Sequence, residues 1–135
     1  MFGPIKYRKG YKYVLQADVS GYGPIKPRQD VVLPFIKLYK DGNLILLSGF
    51  PWDGASGPTW DTKSVITPSL IHDAYCELHR LGYISEKDRK VADKLLYEMM
   101  RQRGNWFIRA RIWYRGVRLE AKHHKHKPKK VYTAP

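Results

Sequence analysis

A histidine and three aspartates stand where they could perform acid–base or metal chemistry. His72 and Asp73 are adjacent, Asp93 follows them, and Asp53 precedes them in a Gly-rich segment. A histidine held by a carboxylate is an oriented general base, because the carboxylate fixes the ring tautomer and stabilises the imidazolium that forms on proton transfer. Carboxylate oxygens are also the ligands that a hard cation such as calcium prefers. These residue types therefore indicate a hydrolase-type site with metal assistance.

Two predicted helices would bring His72 level with Asp93. Apolar residues recur at helical spacing from Pro68 to Gly82, with the proline in the first turn. A second helix is predicted for residues 86–103, since Ser85 begins a capping box. At 1.5 Å per residue, both side chains lie roughly 11 to 12 Å from the turn of an antiparallel hairpin. We therefore expect His72 to be the base and Asp93 the carboxylate that orients it.

A calcium site is expected beside this pair. Asp73 projects about 100° from His72 on the same helical turn, so it could share a cation with Asp53 and with carbonyl oxygens of the loop. The cation would polarise a substrate carbonyl and stabilise the oxyanion. Three loop residues would support Asp53: Gly54, Ser56 and Pro58. The alternative is that this segment is only a tight turn, stiffened by its proline.

The first half of the chain is predicted to form an antiparallel sheet. Residues 11–18 alternate apolar and polar side chains, and two further apolar segments, 31–39 and 43–47, flank the hairpin signal Asp41-Gly42. Pro34 lacks a backbone donor, so it belongs at an edge or a bulge of that hairpin. A long loop rich in Gly, Pro and Trp then leads to the helices.

The expected fold class is α+β. An N-terminal antiparallel sheet and the long loop precede a C-terminal layer of about three helices, the third predicted over residues 106–119. Residues 122–135 read as a basic arm rich in His and Lys. Residues 1–121 are therefore expected to form a single α+β domain, which suits a chain of 135 residues.

Positive charge is concentrated at the C-terminal end. The net charge is +13, and from Arg101 onward eleven Lys and Arg residues accompany one acid, Glu120. Basic ends of this kind contact phosphates or other anionic surfaces, with steeply salt-dependent affinity. We expect anion or nucleic-acid contacts at these residues: Arg109, Arg111, Arg115, Arg118, Lys122, Lys125, Lys127, Lys129 and Lys130. The alternative is a solvated basic face.

Composition argues against several protein classes. Cys76 is the single cysteine, which excludes an internal disulfide framework and a zinc site of paired cysteines. We expect it to be a buried, unreactive thiol. The longest aliphatic run, Leu44–Leu47, is far shorter than the roughly 20 residues of a membrane span. Residues 1–13 contain no apolar signal-peptide core. A cytoplasmic site of synthesis, without a transmembrane span or a secretion signal, is expected.

Four ordered motifs resemble a phage and prophage family of unknown function. The motifs are Trp52-Asp53-Gly54-Ala55-Ser56-x-Pro58, Ile71-His72-Asp73-x-Tyr75, Arg89-Lys90-x-Ala92-Asp93 followed by Met99, and Gly104. The resemblance covers about residues 10–119. It implies a bacteriophage protein that is made in the host cytoplasm and then joins the virion. It implies no particular activity, since the family has none assigned.

The chain also resembles prokaryotic phospholipases A2, which carry Asp-Gly-Cys-Ser, then His-Asp-x-x-Tyr, then an aspartate on the antiparallel helix. The resemblance implies His72 as the base and Asp93 as its partner. It likewise implies Asp73 and Asp53 as calcium ligands. The chain departs from the pattern because Ala55 replaces the loop cysteine, Tyr75 comes one residue early, and no paired cysteines bridge the helices.

Two functions follow as expectations. The first is a phage hydrolase that acts on an ester or amide of the host envelope, with metal assistance. The second is a non-catalytic virion component whose basic end contacts nucleic acid or neighbouring subunits. In that second case His72 is a histidine at the edge of an apolar face, and Asp93 pairs with Arg89 at i, i+4.

Overall fold

The structure is a computed structural model that describes residues 2, 5–8, 13–52, 63–103, 114–115 and 117–119. Within these ranges, short strands occupy the first half of the chain and two long helices follow. The strands are β1 Tyr7–Arg8, β2 Tyr13–Leu15, β3 Val19–Tyr22, β4 Val31–Val32, β5 Ile36–Leu38, β6 Asn43–Leu46 and β7 Pro51–Trp52. The helices are α1 Lys63–Arg80 and α2 Glu86–Gln102. This order confirms the α+β class.

The strands form two antiparallel sheets, with strand orders β1-β2-β7 and β3-β6-β5-β4. In the larger sheet Leu38 lies opposite Leu44, and both side chains are buried. In the smaller sheet Tyr13 lies opposite Trp52, and their rings stack with centroids 5.4 Å apart. Since successive side chains of a strand point to opposite faces, each sheet places one apolar face in the core.

The predicted hairpin at Asp41-Gly42 is confirmed. Gly42 has a φ of 90°, a left-handed conformation that glycine adopts without strain, and its N–H donates to the carbonyl of Tyr39 at 2.9 Å. The segment 31–39 is not one strand, however, because β4 and β5 are separated around Pro34. Proline has no N–H for the ladder, so it interrupts the strand here.

α1 begins earlier than predicted, so Pro68 lies inside the helix rather than in its first turn. Contacts with the smaller sheet hold the additional turn. Ile66 is buried, and the hydroxyl of Ser69 donates to its carbonyl at 2.8 Å. The same hydroxyl accepts from Nε1 of Trp52 at 3.2 Å. Tertiary packing thus extends the helix through a proline that by itself favours a helix start.

α2 begins at the predicted capping box. The Ser85 side chain accepts from the backbone N–H of Asp88, and the Asp88 carboxylate accepts from the backbone N–H of Ser85. The apolar face of α2, including Ala92 and Met99, packs in the same core as α1 and both sheets. The two helices therefore form an antiparallel hairpin that rests on the sheets.

Helical residues also occur near the C-terminal end, at 114–115 and 117–119. Val117 packs against Leu96 and Met100 of α2, which agrees with part of the predicted third helix. Residues 106–113, the predicted boundary at 121 and the arm at 122–135 lie outside the described residues. Within the described ranges, no helix is long and apolar enough to cross a membrane.

Candidate functional site

Asp93 is the buried centre of the candidate site. Its side chain is 0% exposed, and its Oδ1 lies 2.6 Å from Nε2 of His72 across the helical hairpin. His72 itself is only 7% exposed. The expected contact between the ring and the carboxylate is therefore present. Both partners lie inside the protein, and the alternative of a structural histidine at the edge of the apolar face stays open.

Two arginines share the same carboxylate. Nε of Arg89 donates to Oδ1 of Asp93 at 2.9 Å, and Nη1 of Arg118 donates to Oδ2 at 2.7 Å. Nη2 of Arg89 also donates to the carbonyl of Val117 at 3.3 Å. The Arg89–Asp93 pair and the His72–Asp93 pair thus coexist. Asp93 joins α1, α2 and the C-terminal helical residues at one point.

The surroundings of Asp93 keep it ionised. Burial raises the pKa of this carboxyl, but the bonds from His72 and Arg118 and the charge of Arg89 lower it below its usual value. A buried carboxylate is tolerated only when it is paired and hydrogen-bonded. Asp93 meets that requirement on both oxygens.

His72 is held in its protonated form. Burial lowers the pKa of the ring, whereas the charge of Cys76 and the bond to Asp93 raise it, and the net result is a rise from 6.5 to about 10. At neutral pH the ring is therefore an imidazolium with a proton on each nitrogen. It donates from Nε2 to Asp93. In this protonation state His72 is suited to protonate a leaving group, and its role as a base stays a prediction.

Cys76 is the member of the site that the sequence analysis missed. Its Sγ lies 3.6 Å from Nδ1 and 3.6 Å from Nε2 of His72, so the sulfur sits beside the ring at equal distances from its nitrogens. The side chain is half-buried. The available signal was the spacing His72-x-x-x-Cys76, because residues four apart lie on one face of a helix.

A second histidine–carboxylate pair lies nearer the turn of the hairpin. Nε2 of His79 is 3.1 Å from Oε1 of Glu86. This pair and the His72–Asp93 pair share one register between the antiparallel helices. We call the row on α1 the polar stripe, which consists of His72, Cys76 and His79.

The calcium site is not assembled by the described residues. Asp73 is half-buried on α1. Asp53 and its supporting residues Gly54, Ser56 and Pro58 lie outside the described part of the chain. Among the residues that are described, no group of three or more His, Cys, Asp or Glu is arranged to hold a metal ion. Calcium binding by Asp73 and Asp53 stays a prediction.

The basic residues divide into two kinds. Arg118 was expected to contact external anions. Its side chain is 17% exposed, and its guanidinium donates to the buried carboxylate of Asp93 instead. Arg115 is exposed. The other predicted contacts lie outside the described residues: Arg109, Arg111, Lys122, Lys125, Lys127, Lys129 and Lys130.

Tyr75 belongs to the core and not to the candidate site. Its ring is fully buried, and its hydroxyl has no hydrogen-bond partner among the described residues. Burial raises the pKa of this phenol, so it stays protonated. A Cβ at Gly23 would collide with the Tyr75 hydroxyl. Gly23 therefore permits the close approach of the sheet to α1.

Comparison with known proteins gives no match to a family model, to a curated protein or to a solved structure. The geometry around Asp93 is therefore the main basis for a function.

Proposed function

We propose that the chain is a bacteriophage-encoded, virion-associated protein that hydrolyses an ester or amide of the host envelope. The observation that carries the hydrolase is the buried contact of 2.6 Å between Nε2 of His72 and Oδ1 of Asp93. Because Asp93 holds Nε2, the nitrogen that faces reacting groups is Nδ1. The phage origin rests on the four ordered motifs described above.

His72 would act twice in one turnover. As an imidazolium it donates the Nδ1 proton to the departing oxygen or nitrogen of the substrate. The neutral ring then takes a proton from the water that completes hydrolysis. Asp93 stabilises the charged ring in the resting state and again at the end of the cycle. The raised pKa of His72 supports this order, because the ring begins each cycle as an acid.

Calcium would add stabilisation of the oxyanion if Asp73 and Asp53 bind it. Calorimetric titration of calcium, magnesium and zinc into the full chain tests this part of the proposal, with Asp73→Asn as the comparison. Saturable binding that the substitution abolishes supports a metal-assisted reaction. Binding that Asp73→Asn leaves unchanged removes Asp73 from the proposed ligands.

Hydrolysis is tested with phospholipid vesicles, purified peptidoglycan and 4-nitrophenyl acyl esters as probes. We expect His72→Gln to lower the rate by roughly 10²- to 10⁴-fold, the usual contribution of a general acid–base group. His79→Gln is the matched control, since it changes the other histidine of the polar stripe that pairs with a carboxylate. Its rate should stay within about threefold of wild type, well below that loss. Absence of turnover of all probes by wild type contradicts the proposal.

A non-catalytic virion component is the second candidate. It is favoured by the way Asp93 and Arg89 hold the C-terminal helical residues against α2 through Arg118 and Val117. In that case Asp93 and its partners only stabilise the packing of the C-terminal helical residues on α2. The basic C-terminal region then contacts packaged nucleic acid or neighbouring subunits. Titration with duplex DNA at about 50 and 200 mM salt should show a steep loss of affinity, since phosphate contacts release counterions. No binding at the lower salt concentration excludes DNA as that partner.

A further inference from the structure

The solvent side of α2 carries a row of basic side chains. The members of this row are all exposed: Lys87, Lys90, Lys94 and Arg101. Their spacing along the sequence alternates in steps that add up to whole helical turns, so they lie on one side of the helix. At 1.5 Å per residue the row is about 21 Å long. We call these four residues the basic face of α2.

Most acids of α2 are engaged away from the basic face. Oε1 of Glu86 lies 3.1 Å from Nε2 of His79 on the neighbouring helix. The carboxylate of Asp88 closes the capping box with Ser85. Asp93 is buried on the side of α2 that faces the core. Each of these carboxylates therefore has its partner elsewhere in the hairpin.

The lysines of the basic face keep their charge available to an external partner. Within the part of the chain that the structure describes, none of these three forms an ion pair with a carboxylate: Lys87, Lys90 and Lys94. Glu98 is the one exposed acid of α2, so basic charge is in excess on its solvent side. A line of like charges creates an extended positive potential, which attracts a linear polyanion.

The C-terminal helical residues meet α2 near the end of the basic face. The rings of Tyr97 and Tyr114 are in edge contact, with centroids 6.3 Å apart. Arg115 is exposed and follows Tyr114 directly. An exposed base of a second element therefore lies one residue from this ring contact.

From this arrangement we propose that the basic face of α2 binds the phosphate backbone of duplex DNA. Charge complementarity selects the partner, because a duplex presents one negative charge per roughly 1.7 Å of its axis along the whole length of the face. Contacts to phosphates carry no information on base sequence, so the binding is independent of sequence. The inference goes beyond the proposed hydrolase and assigns a surface that neither candidate function uses.

The composition of the basic face favours a duplex over a single strand or a lipid bilayer. Proteins that bind single strands stack the bases on accessible aromatic rings. Tyr97 is half-buried, and its ring already contacts Tyr114. A helix that lies in a bilayer surface inserts an apolar face beside its basic one. The exposed residues of α2, by contrast, are all charged or polar: Lys87, Lys90, Lys94, Glu98, Arg101 and Gln102.

Fluorescence anisotropy of a labelled DNA duplex, titrated with the full chain at about 50 and 200 mM salt, tests the proposal. The basic-face variant combines Lys87→Gln, Lys90→Gln and Lys94→Gln. We expect its affinity at the lower salt concentration to be at least roughly tenfold weaker than that of wild type. The slope of log affinity against log salt should become less steep by about 2.7, since each lost phosphate contact removes about 0.9. Glutamine and lysine have similar helix propensities, so α2 should keep its stability, which thermal denaturation checks.

A charge-matched variant of the sheet half is the control. It combines Lys26→Gln, Arg28→Gln and Lys40→Gln, which change three exposed bases outside the helices. The net charge falls by the same amount in both variants. The control should keep its DNA affinity within about threefold of wild type, because salt screens charges more than about 10 Å from the bound phosphates. Equal weakening of the two variants overturns the proposal, since net charge would then explain the binding.

The remaining outcomes separate this surface from the other candidates. Full DNA affinity in the basic-face variant overturns the inference and leaves the basic C-terminal region as the DNA contact of the second candidate function. Absence of DNA binding by wild type at the lower salt concentration overturns both. Binding to vesicles of anionic phospholipid that depends on the three lysines, without any such dependence for DNA, assigns the face to a membrane and also overturns the inference. Turnover of the hydrolysis probes should be the same in wild type and the basic-face variant, so the hydrolase is tested separately.

Discussion

The two histidine–carboxylate pairs of the helical hairpin consist of the same types of side chain but have different surroundings. Both join a histidine of α1 to a carboxylate of α2 through Nε2, at 2.6 Å for His72–Asp93 and 3.1 Å for His79–Glu86. The Asp93 side chain is 0% exposed, whereas that of Glu86 is 39% exposed. Glu86 also lies in the first turn of α2, where a negative charge is favourable to the helix dipole.

This difference shows that a pair of residue types does not determine its chemistry. Water can solvate Glu86, so its pair is an ordinary contact at the end of a helix. Asp93 is removed from solvent, and among the described residues two arginines join the histidine there. Burial and neighbouring charge make the His72–Asp93 pair strongly coupled, and they make it the better candidate for a reaction.

The largest expected difference between the pairs concerns stability. Asp93→Asn removes the anion that His72, Arg89 and the partly buried Arg118 share, and we expect a loss of about 3 to 5 kcal/mol in the free energy of unfolding. Glu86→Gln, the matched change in the His79–Glu86 pair, should cost less than about 1 kcal/mol. Urea denaturation measures both. Similar losses for the two variants would mean that burial does not distinguish the pairs.

A second difference should appear in the titration of His72. Its raised pKa predicts that the ring stays protonated through neutral pH, with a midpoint near 10 by NMR, and His72→Gln assigns the resonance. The contribution of this proton to stability is complete below pH 6.5 and is lost as the pH rises through about 10. Cys76→Ala should lower the midpoint, because the charge of Cys76 is a cause of the rise. A wild-type midpoint near the ordinary value of about 6.5 would show that the ring is a neutral base.

Arg118→Gln tests whether Asp93 also holds the C-terminal helical residues in place. The substitution removes a charge-assisted bond to a buried carboxylate, and we expect a loss of about 1.5 to 3 kcal/mol. Limited proteolysis should then cut near residues 117–119 sooner than in wild type. Arg115→Gln is the control, since Arg115 is exposed in the same segment. Equal protection of both variants would contradict the fastening.

A small effect is expected at the N-terminus of α2, where the capping box of Ser85 and Asp88 lies. Ser85→Ala removes the acceptor for the Asp88 backbone N–H and should cost about 1 kcal/mol. Since the site lies farther along the helix, the rate of hydrolysis should not change. A large change in that rate would mean that the two ends of the hairpin are coupled.

Much of the fold follows from local patterns. The hairpin at Asp41-Gly42 was predictable because glycine tolerates the left-handed conformation that the turn needs. The cap at Ser85 was predictable because its hydroxyl satisfies a backbone donor that has no partner inside the helix. The level of His72 with Asp93 followed from helix rise once the hairpin was assumed, whereas their contact depended on the register of the two helices.

The remaining features depend on contacts between segments distant in the chain. The sequence by itself determined the α+β order, the two helices of the hairpin and the level of His72 with Asp93, since these rest on periodicity and spacing. Only the tertiary structure decided that Pro68 lies inside α1, that Arg118 turns inward to Asp93, and that Cys76 lies beside the ring. The physical reason is burial. The cost of a charge depends on which partners replace water around it, and those partners come from α1, α2 and the C-terminal helical residues together.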